Sequence, residues 1–230
     1  MHPREAFMAG HNLAYCVTYF DQVLMAARLA SSDEEESQKH SQQMVAQLQK
    51  VAPHFVARLK HIGKIGSDHG IDIGELPTLP QDYRRWAPVI FERFTNTWRI
   101  DDEEGWLFLL GHAVGELRGA IIIASMSIDF HLHLELSFQS SIDGFIRAFP
   151  EMVECWENAI LRLLHTPWGE LFMNRYKALN PAFEAIQQAF RRSIEHTGSA
   201  LLPLLRHISA QLAQIEQSEA LELPSSSPSA

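Results

Sequence analysis

Residues 106–128 read WLFLLGHAVGELRGAIIIASMSI, and this stretch decides the fold of the chain. Three glycines, Gly111, Gly115 and Gly119, recur in it at four-residue spacing, which places them on one face of a helix. A helix face without side chains allows another backbone to approach closely. We therefore expect a packing seam here. The seam is predicted to be a tight crossing within one subunit, with a dimer contact or a place for a flat ligand as the alternatives.

Apolar side chains repeat at helical spacing through most of the remaining sequence. The clearest run covers residues 34–62, where the apolar positions follow one another at steps of three and four: Met44, Leu48, Val51, Phe55, Leu59 and Ile62. Gly63 and Gly66 are predicted to end this helix. Capping residues directly before proline, at 166–167 and 180–181, predict two further helix starts. Together these patterns predict an all-α fold of about seven or eight helices.

The length and composition of the chain indicate a single domain. With 230 residues, 46% of them hydrophobic, the chain is long enough to bury one sizeable core, and no linker divides it. The last residues are rich in proline and serine, a composition that does not support a packed core. We therefore expect a single helical-bundle-like domain over residues 1–222 and a disordered tail over residues 223–230.

One segment, residues 128–138, departs from the helical pattern. It alternates apolar and polar side chains without interruption, which is typical of a strand. An isolated strand is not stable, however, and the sequence offers no good partner strand. We expect helix or irregular structure here, with a short strand as the alternative.

Charge and cysteine content limit the classes of binding partner and the cellular locations that are consistent with the sequence. A net charge of −9 argues against a nucleic-acid partner. Residues 106–128 are long enough to span a bilayer but carry three strongly polar side chains near their middle, so we expect no membrane span. Cys16 and Cys155 both lie among apolar residues and are predicted to be buried, reduced thiols, with a single disulfide between them as the alternative. With no recognisable signal peptide at the N-terminus, the predicted location is cytoplasmic.

Histidine and glutamate side chains at helical spacing form the candidate site. His112 and Glu116 are four residues apart, so both project from one face of a helix, and His131 and Glu135 repeat that spacing. With His11 from the first helix, these side chains could supply nitrogen and oxygen ligands to zinc, iron or manganese. The competing interpretation is structural. In it, His112 and Glu116 form a buried polar pair that is closed by Arg118 or by another helix.

Two classes of function are consistent with these features. The chain contains none of the GxxxxGK[ST], GxGxxG, GxSxG or HExxH motifs. The first hypothesis is therefore a non-enzymatic helical protein that binds a protein partner, or associates with itself as a homodimer, through apolar helical faces. The second is a metal- or cofactor-dependent enzyme or sensor with the His/carboxylate site in its helical core. A third hypothesis is a small-molecule pocket lined by aromatic side chains.

Overall fold

The computed structural model describes residues 3–99, 102–192 and 194–217. Within these ranges it contains seven helices and no strand, which confirms the predicted all-α class. The predicted tail, residues 223–230, lies outside the described residues. In chain order the helices are α1 (Pro3–Ala30), α2 (Glu35–Asp68), α3 (Pro80–Thr97), α4 (Glu103–Leu134), α5 (Gln139–Arg162), α6 (Pro167–Ala189) and α7 (Ile194–Gln217).

Helix α4 lies at the centre of the fold. It packs most extensively against α1 and also contacts α5 and α7, while α1 in turn contacts α2 and α3. Its inward side chains, Leu107, Phe108, Leu117 and Ile121 among them, are fully buried. By length and composition α4 is able to cross a membrane, since its most apolar window has a mean hydropathy of 1.6. Here 61% of that window is buried inside the protein, as in the core helix of a globular domain.

The glycine row of α4 packs against α1 of the same chain. A Cβ atom added to Gly111 would lie 2.0 Å from the carbonyl oxygen of Phe7, and one added to Gly115 would lie 2.4 Å from that of His11. At Gly119 the added atom would lie 2.3 Å from a side-chain hydroxyl of α1. Since α1 covers this face, the predicted crossing within one subunit is confirmed. At Gly111 and Gly115 this face is therefore not free for a second subunit or a flat ligand.

Residues 128–138 divide between the end of α4 and a short connection. Helix α4 continues to Leu134, and Glu135 then takes up a left-handed conformation with φ of 52° that ends the helix. Gln139 begins α5 a few residues later. Ile128 is a residue of helix α4, and its side chain is buried in the core. The expectation of helix or irregular structure is confirmed, because the neighbouring helices decide which positions of the alternating pattern are buried.

The predicted helix start at 180–181 is wrong, because α6 runs through Pro181 without ending. Leu179, Phe183 and Ile186 are buried on one side of α6 and span the proline. A continuous apolar stripe is therefore packed on both sides of Pro181, and this packing holds the helix together across the hydrogen bond that proline cannot make.

Three further glycines serve packing rather than helix termination. Helix α2 was predicted to end at Gly63 and Gly66, yet it continues to Asp68. A Cβ atom on Gly66 would lie 2.9 Å from the carbonyl oxygen of Ile71, so this glycine makes room for the returning chain. Gly198 is a similar case in the last helix. That residue lies inside α7, where an added Cβ would come within 3.1 Å of the Leu132 side chain.

The two cysteines occupy different environments. Cys16 is buried, as predicted, and burial raises the pKa of its thiol to about 12. Cys155 is exposed, so the prediction that both thiols are buried is wrong for this residue. Partial burial raises the pKa of its thiol, and the negative charges of Glu116, Glu154 and Glu151 act in the same direction.

Candidate functional site

The structure assembles one of the two predicted His/Glu pairs. His112 and Glu116 are neighbours on α4, with 3.7 Å between Nδ1 and Oε2. His131 and Glu135 do not form an equivalent pair on one helical face, because Glu135 ends the helix in a left-handed conformation. His11 lies in α1 and is fully buried. In the part of the chain that the structure describes, no three His, Cys, Asp or Glu side chains come together as a metal ion would require.

His112 lies against aromatic rings at the edge of the core. Its ring packs edge-on to Phe91, with 4.7 Å between centroids, and is tilted against Phe108 at 6.5 Å. Only 28% of the side chain is exposed. Burial lowers the pKa of His112 to about 4, so the imidazole is neutral at pH 7.

Glu116 is a half-exposed carboxylate beside this neutral histidine. Partial burial, together with the negative charge of Glu151, raises its pKa above the ordinary glutamate value. His112 is the group that pairs with Glu116 among the described residues, and it carries no charge near neutral pH. Within the part of the chain that the structure describes, the carboxylate therefore has no counter-cation.

Two cavities meet at Glu116. One, of about 330 Å³, lies between α3 and the α1–α4 pair, and the other, of about 300 Å³, lies between that pair and α5. Val17 and Glu116 line both cavities, which are therefore adjacent, and we call the two together the α1–α4 groove. Its walls are mainly apolar and include Tyr83, Ala87 and Phe91 on α3 and Gly144, Phe145 and Met152 on α5.

A second polar feature joins three helices away from this groove. Arg58 on α2 and Arg118 on α4 both donate hydrogen bonds to the carboxylate of Glu216 on α7. We call these three side chains the ion cluster. The structural interpretation predicts that Arg118 closes the pair of His112 and Glu116. Arg118 does not do so, because it projects from a different face of α4.

His11 borders the ion cluster without a hydrogen bond. Its ring is fully buried and stacked between Phe7 and Tyr15, with centroids 6.0 and 5.6 Å away. Neither ring nitrogen has a hydrogen-bond partner among the described residues, and Nε2 lies 4.0 Å from the Glu216 carboxylate. Burial lowers the pKa of His11 to about 3, with the positive charges of Arg58 and Arg118 acting in the same direction. This imidazole is neutral as well.

Of the three side chains in the ion cluster, sequence reasoning singled out Arg118 and missed Arg58 and Glu216. The signal at Arg118 was a strongly polar side chain in an otherwise apolar helix. Arg58 lies in a predicted amphipathic helix, where a solvated arginine is ordinary, and Glu216 lies in the last predicted helix, where a solvated glutamate is equally ordinary. Neither residue carries a local signal that distinguishes it.

Comparison with known proteins does not place the chain in a family. No protein-family model, curated protein or solved structure matches it. The fold and its polar features therefore define only a class, an all-α protein with an apolar groove on one side of the α1–α4 pair and a partly buried ion cluster on another. Its function has to be inferred from these two features.

Proposed function

We propose that this protein binds a partner protein by receiving an amphipathic helix, with a basic residue at its centre, in the α1–α4 groove. The observation that carries this proposal is the position of Glu116. Its carboxylate has no counter-cation among the described residues and lies where two apolar cavities meet.

The shape of the groove suits a helix. On α4 its lining residues run from His112 to Ala124, which corresponds to about 18 Å at 1.5 Å per residue. That length equals about three turns of a partner helix. Walls from α3 on one side and α5 on the other resemble the grooves in which proteins hold the apolar face of an amphipathic helix.

The charge of the groove favours a cationic group on the partner. A partly buried carboxylate interacts more strongly with a cation than an exposed one does, because less water screens the pair. Glu151 adds a second negative charge near Glu116, and the chain as a whole has a net charge of −9. A lysine or arginine on the partner helix would neutralise Glu116 while the flanking apolar side chains fill the two cavities.

The metal-dependent alternative has weaker support. His112 and Glu116 offer two donor groups, whereas a zinc site takes three or four protein ligands. The partner-helix proposal uses the same two residues without requiring further ligands.

Fluorescence anisotropy with two labelled model peptides tests the proposal. Both are amphipathic helices of about five turns, one built from leucine and lysine and the other from leucine and glutamate. We expect the lysine peptide to bind the wild-type protein at least about tenfold more tightly than the glutamate peptide, because charge complementarity opposes wrong partners. Glu116→Gln should reduce this preference by about fivefold or more, whereas Glu170→Gln on the surface of α6 should not.

A second pair of variants separates the groove from non-specific attraction to an acidic protein. Gly144 lines the groove on α5, and an added Cβ there meets nothing within 4 Å, so Gly144→Leu fills the groove without a clash in the free protein. This variant should abolish binding of the lysine peptide. Gln187→Leu, which places the same leucine side chain on the exposed side of α6, should leave binding unchanged. Equal binding by wild type and Gly144→Leu would refute the groove as the site.

The same protein samples also distinguish a second copy of the chain as the occupant. If sedimentation shows that the wild type is a dimer and that Gly144→Leu is a monomer, the groove binds another copy and the partner-helix proposal fails.

A further inference from the structure

We propose that the ion cluster is a binding site for a phosphate group, and that in the free protein the Glu216 carboxylate occupies the place that the phosphate takes. This inference concerns a site separate from the α1–α4 groove and does not depend on the function proposed there.

Hydrogen-bond donors outnumber acceptors in the ion cluster. Glu216 is the carboxylate that both guanidinium groups contact among the described residues. Among the described residues, the Nε–H donor of Arg118 is buried without a partner, and the neutral His11 ring beside the cluster adds one unpartnered N–H donor and one unpartnered acceptor nitrogen. Buried polar atoms normally have partners, so several unused ones around a single small acceptor point to a larger acceptor.

The charge of the ion cluster is also unbalanced. With His11 neutral, two guanidinium cations face one carboxylate among the described residues, which leaves one positive charge in excess there. Burial lowers the pKa of both Arg58 and Arg118, which is the expected response of cations held away from water. A phosphate monoester carries close to two negative charges at neutral pH and balances both arginines once Glu216 has left. A ligand with one carboxylate would replace the single negative charge of Glu216 by another single negative charge, so the excess positive charge would remain.

The two arginines are held in place before any ligand binds. Their guanidinium carbons lie 5.1 Å (Arg58) and 4.5 Å (Arg118) from the centre of the Tyr15 ring. Arg58 also donates a hydrogen bond of 2.7 Å to Oδ1 of Asn12. Planar guanidinium groups fixed in this way can each donate two parallel hydrogen bonds to phosphate oxygens.

The ion cluster is accessible at the end of α7. Its side chains retain some exposure, 11% for Glu216, 13% for Arg118 and 23% for Arg58. Glu216 lies in the last turn of α7 (Ile194–Gln217), where helix ends open most readily. Rotation of this one side chain frees both guanidinium groups, while the neighbouring Ile215 stays buried in the core.

Isothermal titration calorimetry with inorganic phosphate, at constant ionic strength, tests the proposal on the full chain. We expect the wild type to bind one phosphate saturably. Glu216→Ala should bind it at least about tenfold more tightly, because the internal competitor is gone, a gain of about 1.4 kcal/mol by the standard conversion. Arg118→Met should lose binding, whereas Arg206→Met, which removes an exposed arginine of α7, should bind like the wild type.

Two additional measurements keep the test decisive. If Arg118→Met does not fold, Arg58→Lys takes its place, since it keeps the charge but loses the planar fork and should bind phosphate at least about tenfold more weakly. Hydrogen exchange of the wild type should show faster exchange in the last turn of α7 when phosphate is present, because Glu216 is released.

Each outcome bears on the proposal. Glycerol phosphate that binds more tightly than inorganic phosphate would support the site and identify a phosphorylated molecule as its source. The proposal would be overturned if Glu216→Ala bound phosphate while the wild type gave no heat of binding and no change in hydrogen exchange. The ion cluster would then be structural only. Equal binding of acetate and phosphate would overturn the choice of phosphate.

Discussion

Replacing Gly111 by alanine should destabilise the protein, although alanine is the better helix former. The new Cβ would lie 2.0 Å from the carbonyl oxygen of Phe7, and an ordinary contact needs at least 3.4 Å, so α1 and α4 would have to separate locally by about 1.4 Å. The obstacle is helix backbone rather than a flexible side chain, and it lies at the most extensive helix contact of the fold. We therefore expect the upper end of the usual overpacking cost, about 3 kcal/mol. The gain in helix propensity returns about 1 kcal/mol, which leaves a net loss of about 2 kcal/mol.

Gly144→Ala is the matched control for this experiment. It is the same substitution inside a helix, but the added Cβ meets nothing within 4 Å. It should therefore show only the propensity gain and stabilise the protein by about 1 kcal/mol. Urea denaturation followed by far-UV circular dichroism measures both free energies of unfolding, and the expected difference between the variants is about 3 kcal/mol. If Gly111→Ala proves as stable as Gly144→Ala, close backbone packing is not what the glycine row provides.

Three further predictions concern single buried or exposed groups. His11 has a pKa of about 3 in the folded protein and an ordinary value of 6.5 when unfolded, so its contribution to stability is complete above about pH 6.5 and is lost as the pH falls toward 3, at up to about 1.4 kcal/mol per pH unit. In urea denaturation experiments between pH 7.5 and pH 4.5, the free energy of unfolding of His11→Gln should depend less steeply on pH than that of the wild type, by about one proton. An unchanged slope would contradict the burial of His11 in its neutral form. A thiol reagent should modify Cys155 alone in the native protein and both cysteines after denaturation, because Cys16 is buried; two rapid reactions in the native state would contradict this. Tyr83→Phe should cost about 1 kcal/mol in thermal unfolding, since the buried hydroxyl donates a hydrogen bond to the carbonyl oxygen of Leu13, and an unchanged melting temperature would show that this bond contributes nothing.

Features set by short spacing were predictable from the sequence. Four-residue repeats on one helix fix which side chains share a face, whatever the rest of the chain does. For this reason the glycine row and the adjacency of His112 and Glu116 are both found in the structure. Helix boundaries were less predictable, because the breakers Gly66 and Pro181 lie inside helices whose buried neighbours hold them together. In both cases tertiary packing outweighs the local preference of the residue.

The groove was beyond the reach of sequence reasoning for a related reason. Spacing indicates that Val17 and Glu116 lie on particular faces of their helices, but not that α3 and α5 would stand apart over those faces. The packing of one helix on another depends on their surfaces along the whole length of contact, and no local pattern contains that information.

The ion cluster shows what an isolated polar residue in an apolar helix does imply. Arg118 has no partner three or four residues away that satisfies it, and its carboxylate lies 98 residues later in the chain, at Glu216. The second arginine, Arg58, is separated from that carboxylate by 158 residues. A buried guanidinium must be paired, so an arginine without a local acid on its helix face predicts an acid on whichever helix covers that face. The covering helix is α7, which approaches α4 closely where Gly198 lies against Leu132. The position of one glycine and the demand of one buried charge therefore favour the same arrangement, in which the last turn of α7 lies beside α1, α2 and α4.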